Sequence, residues 1–170
     1  GEINELYNFL SDKGIEKVLE IGTEMGGTSL VWAHLVNCNG GEVFTVDMTN
    51  GNRVYSGHPL EERIIGITGD SHSEETRRSI AKLGMFDFLF IDGDHSYNGA
   101  KSDFYDYLPF VKPGGYVAMH DIRDTPLHRQ DGIEVYKFWN ELKSAYKGRE
   151  LFEIISPEGK DNMGIGVVKI

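Results

Sequence analysis

Two apolar rhythms alternate along the chain. Ile3, Leu6, Tyr7 and Leu10 recur at helical spacing and predict an amphipathic lead-in helix over residues 3–13 that ends near Gly14. Val18-Leu19-Glu20-Ile21 reads as a short buried strand that runs into Gly22-Thr23-Glu24-Met25-Gly26-Gly27. Thr28 is placed to cap the helix that follows, Ser29 to about Asn37. Gly40-Gly41 marks a turn, and EVFTVD, Glu42 to Asp47, is a second strand. Residues 48–62 hold Gly51, Gly57 and Pro59 without a period; a loop this long in a compact domain points to function. Ile64 to Thr68 is a third strand closed by Gly69-Asp70-Ser71, and Ser71 with Glu74 matches a capping box opening a helix to about Leu83.

The next stretch organises the rest. FDFLFI, Phe86 to Ile91, is apolar except for Asp87, a pattern suited to a strand covered on both faces. It stops abruptly and presents Asp92, Asp94 and His95 ahead of a helix marked by Tyr97, Ala100, Phe104, Tyr107 and Leu108. Lys112-Pro113-Gly114-Gly115 is a turn feeding a fifth strand, Tyr116 to Met119, with His120-Asp121 at its end. A polar loop, 122–131, leads to a helix bearing Ile133, Val135, Tyr136, Phe138, Trp139 and Leu142. Leu151 to Ile155 and Ile165 to Ile170 are the last two strands, joined by a turn rich in Gly, Pro and Asp. Strands alternating with helices imply a parallel sheet with right-handed crossovers, and the helix-free final pair implies an antiparallel hairpin at one edge. The expectation is α/β: one domain over residues 1–170, with a doubly wound, mostly parallel seven-stranded sheet.

Charge narrows the partners. With 27 acidic and 17 basic residues the net charge is −10, and no Lys/Arg-rich run appears. General nucleic-acid binding is disfavoured, because it needs a basic face. The single Cys38 forms no internal disulfide and suits a reducing, cytoplasmic setting; it reads as a buried or incidental thiol. No apolar run approaches a membrane span, and no charged leader with an apolar core precedes the first helix.

In open α/β sheets ligands sit beyond the carboxyl ends of the strands. Gly22, Gly26 and Gly27 form G-x-x-x-G-G between a strand and a helix, where small residues and free helix amides admit a ligand. The dinucleotide fingerprint wants glycine at position 24; Glu24 stands there, which disfavours a dehydrogenase and suits a cofactor without pyrophosphate. Asp47 ends the second strand, where a carboxylate accepts from both ribose hydroxyls, and Asp70 ends the third, where it can meet an adenine amino group. Each has a plainer reading as a turn-capping residue; together, at successive strand ends, they favour a nucleoside.

VLEIGTEMGG, FTVD, GDS and FDFLFIDGDHSYNGAKSDFYDYLPFVKPGGYVAMHDI together resemble class I S-adenosylmethionine-dependent methyltransferases, which have a Rossmann-like fold. Within that superfamily they are most similar to the branch containing cephalosporin-hydroxylase-like and macrolide-sugar O-methyltransferase proteins. The resemblance runs from about Val18 to Asp121. It implies that Glu20, Gly22, Thr23, Gly26 and Gly27 line the methionine part of the cofactor, that Asp47 binds the ribose, and that Asp70 and Ser71 meet the adenine end. Asp92 is counted with both the cofactor-binding and the catalytic residues.

Asp92, His120 and Asp121 close two strands expected to be neighbours. Carboxylates from separate strand ends suit Mg²⁺, and an imidazole among them shifts preference toward Mn²⁺, Fe²⁺ or Zn²⁺. In metal-dependent relatives Asp92 matches a metal ligand and an acidic pair follows the fifth strand; His120 replaces the first acid of that pair. His95 resembles the general base of the macrolide-sugar enzymes, taking the proton from a substrate hydroxyl. His58 and His128 are expected to be solvent-exposed, His34 and His72 to serve structure, and Asp103 and Asp106 to form a solvated helix face. The implied function is metal-assisted O-methylation of a small-molecule hydroxyl, with a sugar as the acceptor that the resemblance suggests and loops 48–62 and 122–131 choosing the acceptor. Two alternatives stay open: the same scaffold running a hydroxylase-like reaction, or a non-catalytic small-molecule-binding module of a larger protein. A homo-oligomer, in which a second subunit covers the active face, is compatible with the short lead-in.

Overall fold

The computed structural model describes residues 1–49, 53–155 and 163–170. Among the described residues, six α-helices, α1 (Glu2–Leu10), α2 (Gly27–Asn37), α3 (Glu74–Ala81), α4 (Tyr97–Tyr107), α5 (Pro126–Asp131) and α6 (Val135–Ala145), pack around seven strands. The strands are β1 (Lys17–Ile21), β2 (Glu42–Asp47), β3 (Ile64–Thr68), β4 (Phe86–Ile91), β5 (Val111–His120), β6 (Leu151–Ile154) and β7 (Ile165–Lys169). Their order across the sheet is β3-β2-β1-β4-β5-β7-β6. The first five run parallel, and β7 is antiparallel to both β5 and β6, so the expected antiparallel hairpin is present at one edge. Among the described residues no helix is long and apolar enough to cross a membrane.

β4 is central because its side chains feed both faces. Leu89 and Ile91 join a core with Phe104, Phe138 and Trp139; Phe88 and Phe90 join the opposite core with Trp32 and Ile165. Its one polar member has a structural task. Asp87 accepts from the Glu16 and Lys17 amides (3.1 and 2.9 Å) and from Lys112 Nζ (2.6 Å), tying β1, β4 and β5 together at the end away from the crevice.

Several local expectations are corrected. α2 is capped by Gly26 in a left-handed conformation, φ 80°, not by Thr28. The cap of α3 is Ser73, whose hydroxyl accepts from the Thr76 amide at 3.2 Å, not Ser71. Pairing of β4 with β5 begins five residues earlier than Tyr116: Phe86 meets Val111 and Phe88 meets Tyr116, so the register shifts across residues 112–115. The loop 122–131 contains α5, opened by Thr125 as cap and Pro126 in the first turn. The turn joining the last two strands falls at 156–162, and Gly51 of loop 48–62 at 50–52; both lie outside the described residues. Cys38 is exposed.

Gly166 of β7 lies against the Trp139 indole: a Cβ there would come within 2.5 Å of the ring. Trp139 is itself held by its Nε1–H donating to Glu153 at 2.7 Å. Gly166→Ala is therefore expected to destabilise the fold by about 2 kcal/mol through overpacking, read as a lower urea midpoint at unchanged slope.

Candidate active site

The order β3-β2-β1-β4 reverses chain direction across the sheet between β1 and β4, and the crevice opens there, at their carboxyl ends. It is a cavity of about 910 Å³. Its wall runs from Gly22–Met25 and Gly27–Thr28 after β1, through Asp47–Thr49 after β2 and Gly69–His72 after β3, to Asp92–His95 after β4.

Gly22 makes this approach geometrically feasible. It has φ 94°, and a Cβ would overlap the main-chain carbonyl of Asp92. The Gly22 amide donates to Val46 O at 2.9 Å and the Asp92 amide to Ile21 O at 2.8 Å, extending the ladder of the three strands into the loops. Asp47 then fixes the cavity wall. Oδ2 accepts from the Thr23 and Glu24 amides (3.1 and 2.7 Å), and Oδ1 accepts from the Thr49 amide and hydroxyl (2.8 and 2.9 Å). Burial alone would raise its pKa, but these donors prevail and hold it below the ordinary carboxylate range.

Of the residues assigned to the cofactor, Gly22, Thr23, Gly27, Asp47, Asp70, Ser71 and Asp92 stand in the cavity wall. Glu20 and Gly26 do not. Gly26 turns toward the Tyr55 ring, and Glu20 is fully buried behind the wall. Glu20 accepts from the Ser29 hydroxyl, the Thr45 hydroxyl (2.6 Å) and Trp32 Nε1 (3.1 Å). Burial pushes its pKa up to about 7, although the Ser29 and Thr45 hydroxyls pull the other way.

At the β4 and β5 ends the structure gathers two carboxylates and three imidazoles. His95 Nδ1 donates to Asp121 Oδ2 at 2.8 Å, and its Nε2 is 3.6 Å from Asp92 Oδ1. His120 Nδ1 lies 3.1 Å from Asp121 and 3.4 Å from Asp92. His128, expected at the surface, is fully buried: Nδ1 donates to Arg123 O at 2.5 Å and Nε2 is 3.4 Å from Asp121 Oδ1. Asp121 adopts φ 61°, a conformation a non-glycine residue holds at a cost of about 1 kcal/mol, with imidazoles on both of its oxygens. Burial favours its neutral form, yet hydrogen bonds from His120 and His95 keep it well below the usual carboxylate range. The bond to Asp121 raises the pKa of His95. Burial disfavours the charged form of His120, but Asp121 and Asp92 outweigh it and lift its pKa to about 10.

The profile of the methyltransferase domain family matches residues 19–122, well over half of the chain. This chain belongs to that family. The methyltransferase domain is 30% identical over 114 residues to demethylmacrocin O-methyltransferase of Streptomyces fradiae, covering 62% of this chain and 27% of that protein. It is 32% identical over 114 residues to mycinamicin VI 2''-O-methyltransferase of Micromonospora griseorubida, with the same 62% and 27% covered. The chain thus spans about a quarter of these relatives' length. In fold it matches an O-methyltransferase from Bacillus cereus solved in complex with SAH, at a TM-score of 0.76 and 22% identity, over 99% of this chain and 80% of that one. It also matches the MycE methyltransferase of mycinamycin biosynthesis, solved with Mg and SAH, at a TM-score of 0.65 and 23% identity, over 98% and 48%. The fold is that of class I S-adenosylmethionine-dependent methyltransferases.

Three residues of the methyltransferase domain have a different setting from the one their sequence suggested. His72 is in the cavity wall, His128 is beneath Asp121, and Asp103 is fully buried on α4, not on a solvated face. Asp103 shares the stripe of Ala100, Phe104 and Tyr107, so helical spacing already placed it inward. His72 directly follows a strand-end Asp-Ser pair, which marked it as a wall residue. His128 carried no such signal.

The raised pKa of Glu20 has a stability consequence. A carboxyl with a folded pKa of about 7, above its unfolded value near 4.5, favours the native state while protonated. Stability is expected to fall by about 2–3 kcal/mol as pH rises from about 4.5 to about 7. Glu20→Gln keeps hydrogen-bonding capacity without the charge and is expected to flatten that slope in urea unfolding at acidic and neutral pH; an equally steep slope in the variant would assign it to other groups.

Proposed function

We propose that residues 1–170 act as one methyltransferase domain that transfers the methyl group of S-adenosylmethionine to the hydroxyl of a small molecule, a sugar hydroxyl in the favoured reading. The observation that carries this is the imidazole of His95, standing in the cavity wall with Nδ1 tied at 2.8 Å to a buried carboxylate. A carboxylate only accepts, so Nδ1 carries the hydrogen and Nε2 is the nitrogen left to take a proton. The names of the relatives from Streptomyces fradiae and Micromonospora griseorubida support an oxygen acceptor, and the second specifies a 2''-O position.

In this reading the wall after β1 and β2 holds the cofactor, with Asp47 keeping the Thr23–Glu24 turn in place and Asp70 and Ser71 at its base. S-adenosylmethionine supplies a sulfonium methyl: the O–CH₃ bond forms as the C–S bond breaks, leaving a thioether. His95 Nε2 receives the hydroxyl proton, and Asp121 orients the ring and balances the imidazolium. The Asp92–His95 loop brings the acceptor beside the cofactor, so positioning supplies much of the rate.

The residues at this end also fit a divalent cation. Asp92, His95 and Asp121 each offer a ligand atom, all within 4.8 Å of one another. His120 flanks the same two carboxylates from the other side. Because His95 is the one of the three imidazoles at this end that lines the cavity, we assign it the proton and assign Asp92, Asp121 and His120 to the ion, Mg²⁺ or Mn²⁺. An ion held there would lower the pKa of a coordinated hydroxyl.

His95→Ala separates binding from chemistry. Affinity for S-adenosylhomocysteine, measured by calorimetry, is expected to stay within about twofold, while turnover on a hydroxyl acceptor falls about 10²–10⁴-fold. Unchanged turnover removes His95 as the base. Chelation followed by addition of Mg²⁺ or Mn²⁺ is expected to restore turnover with little change in cofactor affinity; full activity in chelator would discard the ion.

A further inference from the structure

Beneath the cavity end bounded by Asp70 and Asp94 lies a charged group that neither the cofactor nor the proton-transfer assignments use. Asp103 of α4 is 0% exposed, and among the described residues neither carboxylate oxygen has a well-aligned hydrogen-bond donor. Burying an ionised carboxyl is costly unless neighbouring groups compensate it, and His72 and Ser71 are the ones that do so here. What it faces is the floor and wall of the cavity. A Cβ built on Gly93 would come within 3.3 Å of Asp103 Oδ2, so only glycine at 93 separates it from the space above. His72 Nε2 is 3.2 Å from Asp103 Oδ1 and 3.3 Å from Gly99 O. Both neighbours accept, so Nε2 is the protonated nitrogen, and the ring is turned toward the helix. The Ser71 hydroxyl reaches the same carboxylate, and Tyr107, one turn further along α4, donates to Ser71 O at 2.7 Å.

We propose that Asp103 is a positioning residue, holding Ser71 and His72 of the β3 loop in the shape that receives the nucleobase of the cofactor. This rests on the reading of the cavity as a cofactor site. Ser71 and His72 line it, while α4 behind them is anchored in the core by Ala100, Phe104 and Tyr107. The carboxylate is thus fixed by the helix, and the loop is drawn to it.

The same arrangement makes the loop sensitive to protonation. Burial pushes the Asp103 carboxyl up to about 6. The groups facing it are His72 and Ser71 from the β3 loop, Asp94 from the β4 loop, and Asp106 and Tyr107 from α4; Asp70 lies 3.6 Å from the other ring nitrogen of His72, and Arg77 of α3 is paired to Asp106 at 2.6 Å. Below its pKa Asp103 loses its charge and half of its accepting capacity, so the hold on His72 weakens as pH falls.

The test is calorimetric titration of the full chain and of Asp103→Asn with S-adenosylhomocysteine and with 5′-methylthioadenosine, at about pH 5 and about pH 7.5. The unaltered chain is expected to bind both about tenfold more weakly at the lower pH, and Asp103→Asn to bind both about tenfold more weakly at the higher pH, with the pH response largely gone. Equal loss for the probe that lacks the amino-acid end places the effect at the nucleoside end, where Ser71 and His72 stand. A variant of lower thermal midpoint but unaltered affinity and pH response would make Asp103 merely structural and overturn the proposal. If Asp103→Asn does not fold, His72→Gln and Ser71→Ala carry the test: the same loss of affinity supports the proposal, and unchanged affinity in both overturns it. No binding of either probe by the unaltered chain overturns the cofactor reading together with the inference, whereas binding that ignores Asp103 overturns the inference alone.

Discussion

The structure depends on a steric constraint at the ends of β1 and β4. Position 22 has a left-handed backbone and no room for a Cβ, because the Asp92 carbonyl occupies that space. Only glycine permits the two strands to end side by side, and only then does the crevice open with Asp92 on its floor. The loops after β1 and β2 follow from the same contact. Once Gly22 is seated, the Thr23 and Glu24 amides point at Asp47, whose other oxygen holds Thr49. One glycine and one carboxylate therefore fix most of the wall on that side.

Electrostatics then separates the cavity into regions with different rules. Glu20, sealed behind the wall with hydroxyl and indole donors, is moved by burial to titrate at about 7. Asp47, with four donors, is held ionised. Asp121 is held ionised as well, but by imidazoles, so its charge is matched by groups that can themselves move protons. A chain of net charge −10 can concentrate carboxylates at one cavity because each has its own compensating partners.

The sheet was legible because its signals are local. FDFLFI is too apolar for anything but a strand buried on both sides, and the strand-helix alternation leaves few topologies. The site was legible to the same extent, since the strand-end rule brings Asp47, Asp70 and Asp92 to one crevice without knowledge of any contact. Capping residues were less legible: Ser71 and Ser73 both precede acidic residues, and two positions decide which hydroxyl meets the Thr76 amide. His128 was illegible for a different reason. It belongs to a short helix inside a polar loop, and its burial depends on packing against Asp121 and Met163, which are remote in sequence or set by the fold. Glu20 and Gly26 are the two motif residues that stand outside the cavity wall, Glu20 buried behind it and Gly26 against the Tyr55 ring.

Helix α4 links the two ends of the cavity through rigid geometry. Its cap, Ser96, accepts from the Gly99 amide at 3.0 Å, and Asp94 Oδ1 accepts from the Ser96 amide at 2.9 Å, so the His95 backbone is fixed where the helix begins. His95 O in turn accepts from the Glu134 amide at 2.7 Å, which braces it against the start of α6. Two and three turns on, Asp103 and Tyr107 face the β3 loop from the same helix. The distance between the imidazole and the β3 loop is therefore set by one hydrogen-bonded rod whose apolar stripe is sunk in the core. On the proposed reading, methyl transfer needs a nucleophile in line with a bond in the cofactor, and a common rigid support for both ends is the arrangement least subject to misalignment.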